Sequence, residues 1–95
     1  MYVVIRRWSD APALAEALTD RRQEVEDLLR DVPGFVAYYA LRHGEEVSTI
    51  TVCDDQAGTQ ESTRRAQEWV KQHLAGVAVP APQITEGETF LQFAR

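Results

Sequence analysis

Trp69 and His73 stand four residues apart, the separation that brings two side chains onto one face of a helix. An imidazole beside an indole is a pairing able to ligate a bound group or to move a proton. Neither His73 nor His43 has further histidine, cysteine or carboxylate company at the spacing of a metal site, so no metal is expected. Flanked by Val70 and Leu74, His73 reads first as a partly buried helix residue, and Trp69 as core. Arg6 and Arg7 are adjacent, so in a strand they point to opposite faces and one must turn inward. A guanidinium away from water needs a partner, either Glu86 or Glu88 on the last strand or an anionic or phenolate substrate. Tyr38 and Tyr39 split between faces in the same way, and a tyrosine hydroxyl in an apolar pocket orients a ligand or shares a proton. Thr49 and Thr51 share one face and line a pocket or fit the pleat. The candidate pocket residues are therefore Arg7, Tyr38, Tyr39, Thr49, Thr51, Trp69 and His73, with no catalytic residue assigned.

These side chains need a scaffold. Tyr2 to Trp8 is rich in β-branched and aromatic residues and reads as a strand. Ser9-Asp10-Ala11-Pro12 then supplies cap candidates and a first-turn proline. From Ala13 to Arg30 the residues Leu14, Leu18, Val25, Leu28 and Leu29 recur at helical spacing, which predicts one helix stopped by Val32-Pro33-Gly34. Phe35–Arg42 and Glu46–Cys53 are two strands joined by His43-Gly44-Glu45, a hairpin-length connection. Asp54 to Thr59 breaks the strand, and Gln60–Leu74 carries Ala66, Trp69, Val70, His73 and Leu74 on a second helical stripe. After the proline-bearing stretch to Pro82, Ile84–Phe93 is the last strand. The order is βαββαβ, an α+β, ferredoxin-like domain over residues 1–95: a four-stranded antiparallel sheet with two helices on one face.

Composition narrows the role. A chain of 95 residues with 44% hydrophobic content is one small domain that buries roughly 60–65% of its unfolded surface. The net charge of −5 argues against a nucleic-acid partner, which requires a clustered basic surface. The opening apolar run is too short for a signal peptide and no window nears the length of a spanning helix, so the expected location is the cytoplasm, away from membranes. Cys53 is the single cysteine; it forms no intrachain disulfide and reads as a small buried hydrophobe.

Helices cover only one face of such a sheet, and the content of the other face decides what meets it. Ile50 and Val52 suit the helix-covered core, with Thr49 and Thr51 opposite. Strict alternation groups Phe35, Ala37, Tyr39 and Leu41 on one side of the second strand and Val36, Tyr38 and Ala40 on the other, so neither side is polar. Both faces are expected to be buried, the second against another copy in a homodimer.

The chain resembles a known family through Tyr-x-Val-Ile-Arg-Arg-Trp at 2–8, Pro-Gly-Phe-Val-Ala-Tyr-Tyr at 33–39, Glu61-Ser62, Ala66 and Trp69-Val70. It is similar to small uncharacterised bacterial proteins of the dimeric α+β barrel superfamily, related to the antibiotic biosynthesis monooxygenases. The resemblance implies a homodimeric barrel with a small-molecule pocket between sheet and helices in each subunit, and a small aromatic or apolar ligand. It also implies oxygenation of aromatic substrates without metal or flavin, so no cofactor is expected. Asparagine and tryptophan serve that chemistry in the family, and this chain has no asparagine, so those roles do not carry over. The alternatives are a non-catalytic stress-response or ligand-binding barrel and a haem-handling protein using His73.

Overall fold

The computed structural model describes residues 1–95 as β1 (Tyr2–Trp8), α1 (Pro12–Asp20), α2 (Arg22–Arg30), β2 (Phe35–His43), β3 (Glu46–Cys53), α3 (Gln56–His73) and β4 (Gln83–Glu88). The four strands form one sheet in the order β2-β3-β1-β4, with every neighbouring pair antiparallel. The helices pack on one face, and the core lies between, built on Trp8, Leu14, Val25, Leu29, Val47, Trp69 and Leu74. The expected ferredoxin-like plan is present, and β1 and β3 occupy the expected spans.

The expected first helix is two. Thr19 donates its hydroxyl to the Ala15 carbonyl at 2.9 Å, a bond that competes with regular helix geometry. Arg21 then adopts φ −112° and ψ 32°, and the axis turns there. α2 consequently carries Val25 and Leu29 down onto the sheet as a separate segment.

The third helix begins at Gln56, four residues before the expected start. The Asp55 side chain accepts from the Gly58 N–H at 3.1 Å, satisfying one of the free donors of the first turn. Gly58 sits inside that turn because of space: a Cβ there would lie 2.8 Å from both Cys53 Cβ and the Pro33 carbonyl oxygen. What reads as a breaker in sequence is a close approach of helix to sheet, and it brings Thr59 and Ser62 into the buried layer.

Two strand assignments are also corrected. The buried set on β3 is Val47, Thr49, Thr51 and Cys53, so Ile50 and Val52 lie on the open face, opposite to the expectation. The register with β1 places Thr51 across from Val4 and Thr49 across from Arg6, so the threonine face is the face that holds the buried arginine. On β2 the register shifts between Phe35 and Ala37, a β-bulge that spends Val36 without a partner. Phe35 and Tyr38 therefore both turn to the helix side and pack on the core, while Ala37 and Tyr39 share the open face.

β4 ends at Glu88, short of the expected Phe93, because β1 starts at Tyr2, the partner of Glu88; the last contact is Thr89 N–H to the Met1 carbonyl. Beyond it Phe90, Leu91 and Phe93 are exposed.

Candidate functional site

A groove of ≈ 550 Å³ runs between α1–α2 and the edge strand β2, walled by Leu18, Val25, Leu29, Phe35 and residues 36–40. Leu18, Val25, Leu29 and Tyr38 also line a cavity of ≈ 30 Å³ deeper between helices and sheet, so the two spaces adjoin across these four side chains. The inner walls are Trp8, Leu14, Leu28, Ala66, Trp69 and Val70, and the polar end is Arg6, Thr49 and Tyr38. A small site of this kind, mostly apolar with a few convergent polar groups, is the usual form of a small-molecule pocket.

Arg6 is 2% exposed and its hydrogen bonds all run to hydroxyls. Nε donates to Thr63 Oγ1 at 3.2 Å, Nη1 to Thr51 Oγ1 at 3.1 Å and to Thr49 Oγ1 at 3.4 Å, and Nη2 to Ser62 Oγ at 2.8 Å and Thr63 Oγ1 at 2.9 Å. The expected carboxylate partner is not there: the ion pairs of the chain do not include Arg6. Glu86 instead takes the Thr59 hydroxyl and acts on Arg6 through space. Burial pushes the Arg6 guanidinium down from its ordinary value, with Tyr38, Cys53 and Glu86 pulling the other way. Burial also pushes the Tyr38 phenol up, against Arg6 and Thr49, so at neutral pH Tyr38 is a hydrogen-bond donor rather than a base.

A second cluster ties α2 to α3. Glu24 Oε1 accepts from Trp69 Nε1 at 3.2 Å and lies 2.6 Å from His73 Nε2, while Oε2 meets Arg21 Nη1 at 3.3 Å. The Trp69 and His73 rings stand 4.7 Å apart, tilted by 45°. Partial burial raises the Glu24 carboxyl, but His73, the Trp69 bond and Arg21 together hold it below its usual range. This clasp closes α2 over the inner cavity from outside.

Of the sequence candidates, Tyr38, Thr49 and Trp69 meet at the inner cavity. Thr51, fully buried, supports Arg6 from behind. Tyr39 borders the outer groove but is 59% exposed toward the open face. His73 lines neither space and faces Glu24. Arg7 is exposed on the open face, 3.6 Å from Glu46, so the inward member of the pair is Arg6. Ser62 and Thr63 went unread as site residues because a Glu-Ser pair in a first helical turn already has a structural explanation. Glu24 gave no signal at all among the charges of an amphipathic helix. No group of three or more His, Cys, Asp or Glu side chains is placed to hold a metal ion, and no helix is long and apolar enough to cross a membrane.

No protein-family model and no curated protein matches the chain. Solved structures do. A protein of unknown function from Nitrosomonas europaea is similar with TM-score 0.74 and 21% identity, over 99% of this chain and 93% of that one. A mutant of MhuD with two manganese protoporphyrin IX bound per active site aligns with TM-score 0.75 and 18% identity over 100% of both chains. A monooxygenase of Streptomyces coelicolor in complex with the ligand nanaomycin D aligns with TM-score 0.70 and 14% identity, over 99% of this chain and 91% of that one. The chain thus has the α+β fold shared by antibiotic biosynthesis monooxygenase-like proteins.

Proposed function

We propose that the chain binds a small aromatic or apolar molecule in the groove between α1–α2 and the sheet, and does so as a homodimer. The observation that carries the reading is an apolar groove of ≈ 550 Å³ that shares four side chains with an inner cavity ending on Arg6, Thr49 and Tyr38. The groove takes a ring system, the aliphatic walls remove it from water, and the polar end fixes its orientation. The dimer is supported by the open face, where Ile5, Tyr39, Leu41, Ile50 and Val52 form an apolar surface, and by the exposed Phe90, Leu91 and Phe93. An apolar surface of that extent on a small chain is a mark of association.

Binding is favoured over turnover because the inner cavity is lined by no carboxylate or histidine to act as a base. A second reading, oxygenation of a bound aromatic molecule without cofactor, is supported by the fold shared with SnoaB, a cofactor-independent oxygenase from Streptomyces nogalater. Calorimetric titration with a panel of hydroquinones and anthrones, paired with an oxygen electrode, separates the two. Heat of binding without oxygen uptake supports the binding protein; uptake that rises with protein concentration replaces it with the oxygenase; neither signal across the panel refutes both.

A further inference from the structure

We infer that the segment Thr89–Arg95 of a second copy completes the ligand site: it pairs along the free edge of β2 and roofs the groove with Leu91 and Phe93. This rests on the pocket and homodimer reading above and adds the partner's own residues to the site. Past Glu88 the chain carries Phe90, Leu91 and Phe93 into water, with Phe90 96% and Phe93 85% exposed. Burying a phenylalanine is among the larger apolar gains open to a small chain, and within one chain it is not taken. In extended backbone Leu91 and Phe93 share one face and Phe90 takes the other. The segment is thus apolar on both sides, the pattern of a strand that is covered twice.

Its own sheet does not cover it. β1 begins opposite Glu88, so past the bond from the Thr89 N–H to the Met1 carbonyl no neighbouring strand remains to pair with. The other free edge belongs to β2, across the order β2-β3-β1-β4. Glu88, Tyr2, Cys53 and Phe35 stand in one row, so the root of the segment lies three strand spacings, about 14 Å, from that edge. Crossing this distance would use about four of the residues from Thr89 to Arg95 and leave too few to form a strand. A second copy docked by the open face supplies the segment from outside the sheet, and two-fold symmetry makes the exchange mutual, closing the assembly at two chains.

The receiving edge fits. β2 pairs only with β3, and from Phe35 to Leu41 it has no charge and no proline, the devices that keep a free edge from pairing. Beside it lie Leu18, Val25, Leu29 and Phe35, the apolar wall of the groove. An edge strand next to such a wall holds an added strand by main-chain hydrogen bonds and takes its alternate side chains into the groove. Leu91 and Phe93 are the alternate pair that matches this wall; Phe90 and Gln92 continue the open face. A ring bound in the groove of one chain keeps one side in water, and the partner's Phe93 covers that side.

The test is a dimer assembled from equal parts of ¹³C-labelled and unlabelled chain, in which filtered NOE spectra report contacts between chains only. Leu91 and Phe93 should show such contacts with Leu18, Val25 or Leu29 of the other chain. Contacts between chains that involve the open face alone, or a single-chain mass in solution, overturn the inference. In parallel, isothermal titration with 2-naphthoate compares wild type with Phe93→Ala. Phe93 is exposed within one chain, so its removal leaves the fold of that chain intact. The affinity should fall about five- to tenfold as an aromatic contact is lost. An affinity unchanged to within about twofold overturns the roof while leaving the pocket standing. Failure of wild type to bind at millimolar concentration refutes the pocket reading itself, and the contacts between chains then decide the place of the segment on their own.

Discussion

Replacing Thr51 with valine changes one atom of the buried layer and nothing of its shape, and it isolates the support that hydroxyls give to Arg6. Thr51 is fully buried and accepts from Arg6 Nη1 at 3.1 Å; the other acceptor of that nitrogen, Thr49, stands at 3.4 Å, the edge of useful hydrogen-bond length. Thr51→Val thus leaves an N–H of a buried cation without an adequate acceptor, a loss of about 1.5–3 kcal/mol. The added methyl offsets up to about 0.8 kcal/mol, so the net destabilisation is about 1–2 kcal/mol. For a chain of this length that lowers Tm by roughly 5–15 °C. Urea and thermal unfolding at one fixed protein concentration measure it, with Thr85→Val as reference, since Thr85 is exposed and a surface change there should stay within about 0.5 kcal/mol. The decisive step is the double-mutant cycle: in an Arg6→Met background Thr51→Val should be neutral or stabilising, giving a coupling of about 1.5–3 kcal/mol. Equal effects in both backgrounds would show that Thr51 does not serve Arg6, and the account of the polar end would fall.

Three further outcomes follow from other parts of the chain. Light scattering should give about twice the 10.7 kDa chain mass, and Tyr39→Asp, on the open face, should shift it toward one chain; a wild-type monomer at micromolar concentration contradicts the dimer. Gly58→Ala should lower stability by about 1 kcal/mol or more, although alanine is favoured over glycine in helices by about that amount, because the new Cβ meets Cys53 and Pro33 at 2.8 Å; a rise in Tm would refute the close approach. Glu61, bonded by Arg64 and Arg65, has its carboxyl lowered from 4.5 to about 2. A depressed carboxyl contributes stability above its unfolded value and loses it as the pH falls through the folded one. Its carboxyl ¹³C resonance should therefore titrate near pH 2, and a midpoint near 4.5 would show that the arginine contacts do not hold in solution.

The topology was legible because each strand and each helical stripe carries its own period, and β1 and β3 begin and end where their β-branched runs do. The inside of the sheet was harder. Ranked by hydrophobicity, Ile50 and Val52 belong in the core and Thr49 and Thr51 outside; the reverse holds because a buried guanidinium demands acceptors, which takes the helix-covered face for the threonines and leaves the aliphatic residues on the open face. The bulge at Val36 leaves no mark in composition, so strict alternation misplaced Phe35 relative to Tyr38. Gly58 reads as a breaker until the neighbouring backbone is seen. Of the site, Tyr38, Thr49 and Trp69 could be named from spacing, whereas the choice of Arg6 over Arg7 depends on strand register, and the Glu24 clasp depends on a helix bend at Arg21 that places α2 against α3.

The central claim is that the groove between α1–α2 and the sheet is a ligand site. Methyl and indole NMR resonances followed during titration with 2-naphthoate test it most directly, since Leu18, Val25 and Leu29 wall the groove and Trp69 lines the adjoining cavity. The account predicts saturable shifts concentrated on those residues, with Ile50 and Val52 of the open face unmoved. Shifts confined to the open face, or none at all at millimolar ligand, would contradict it.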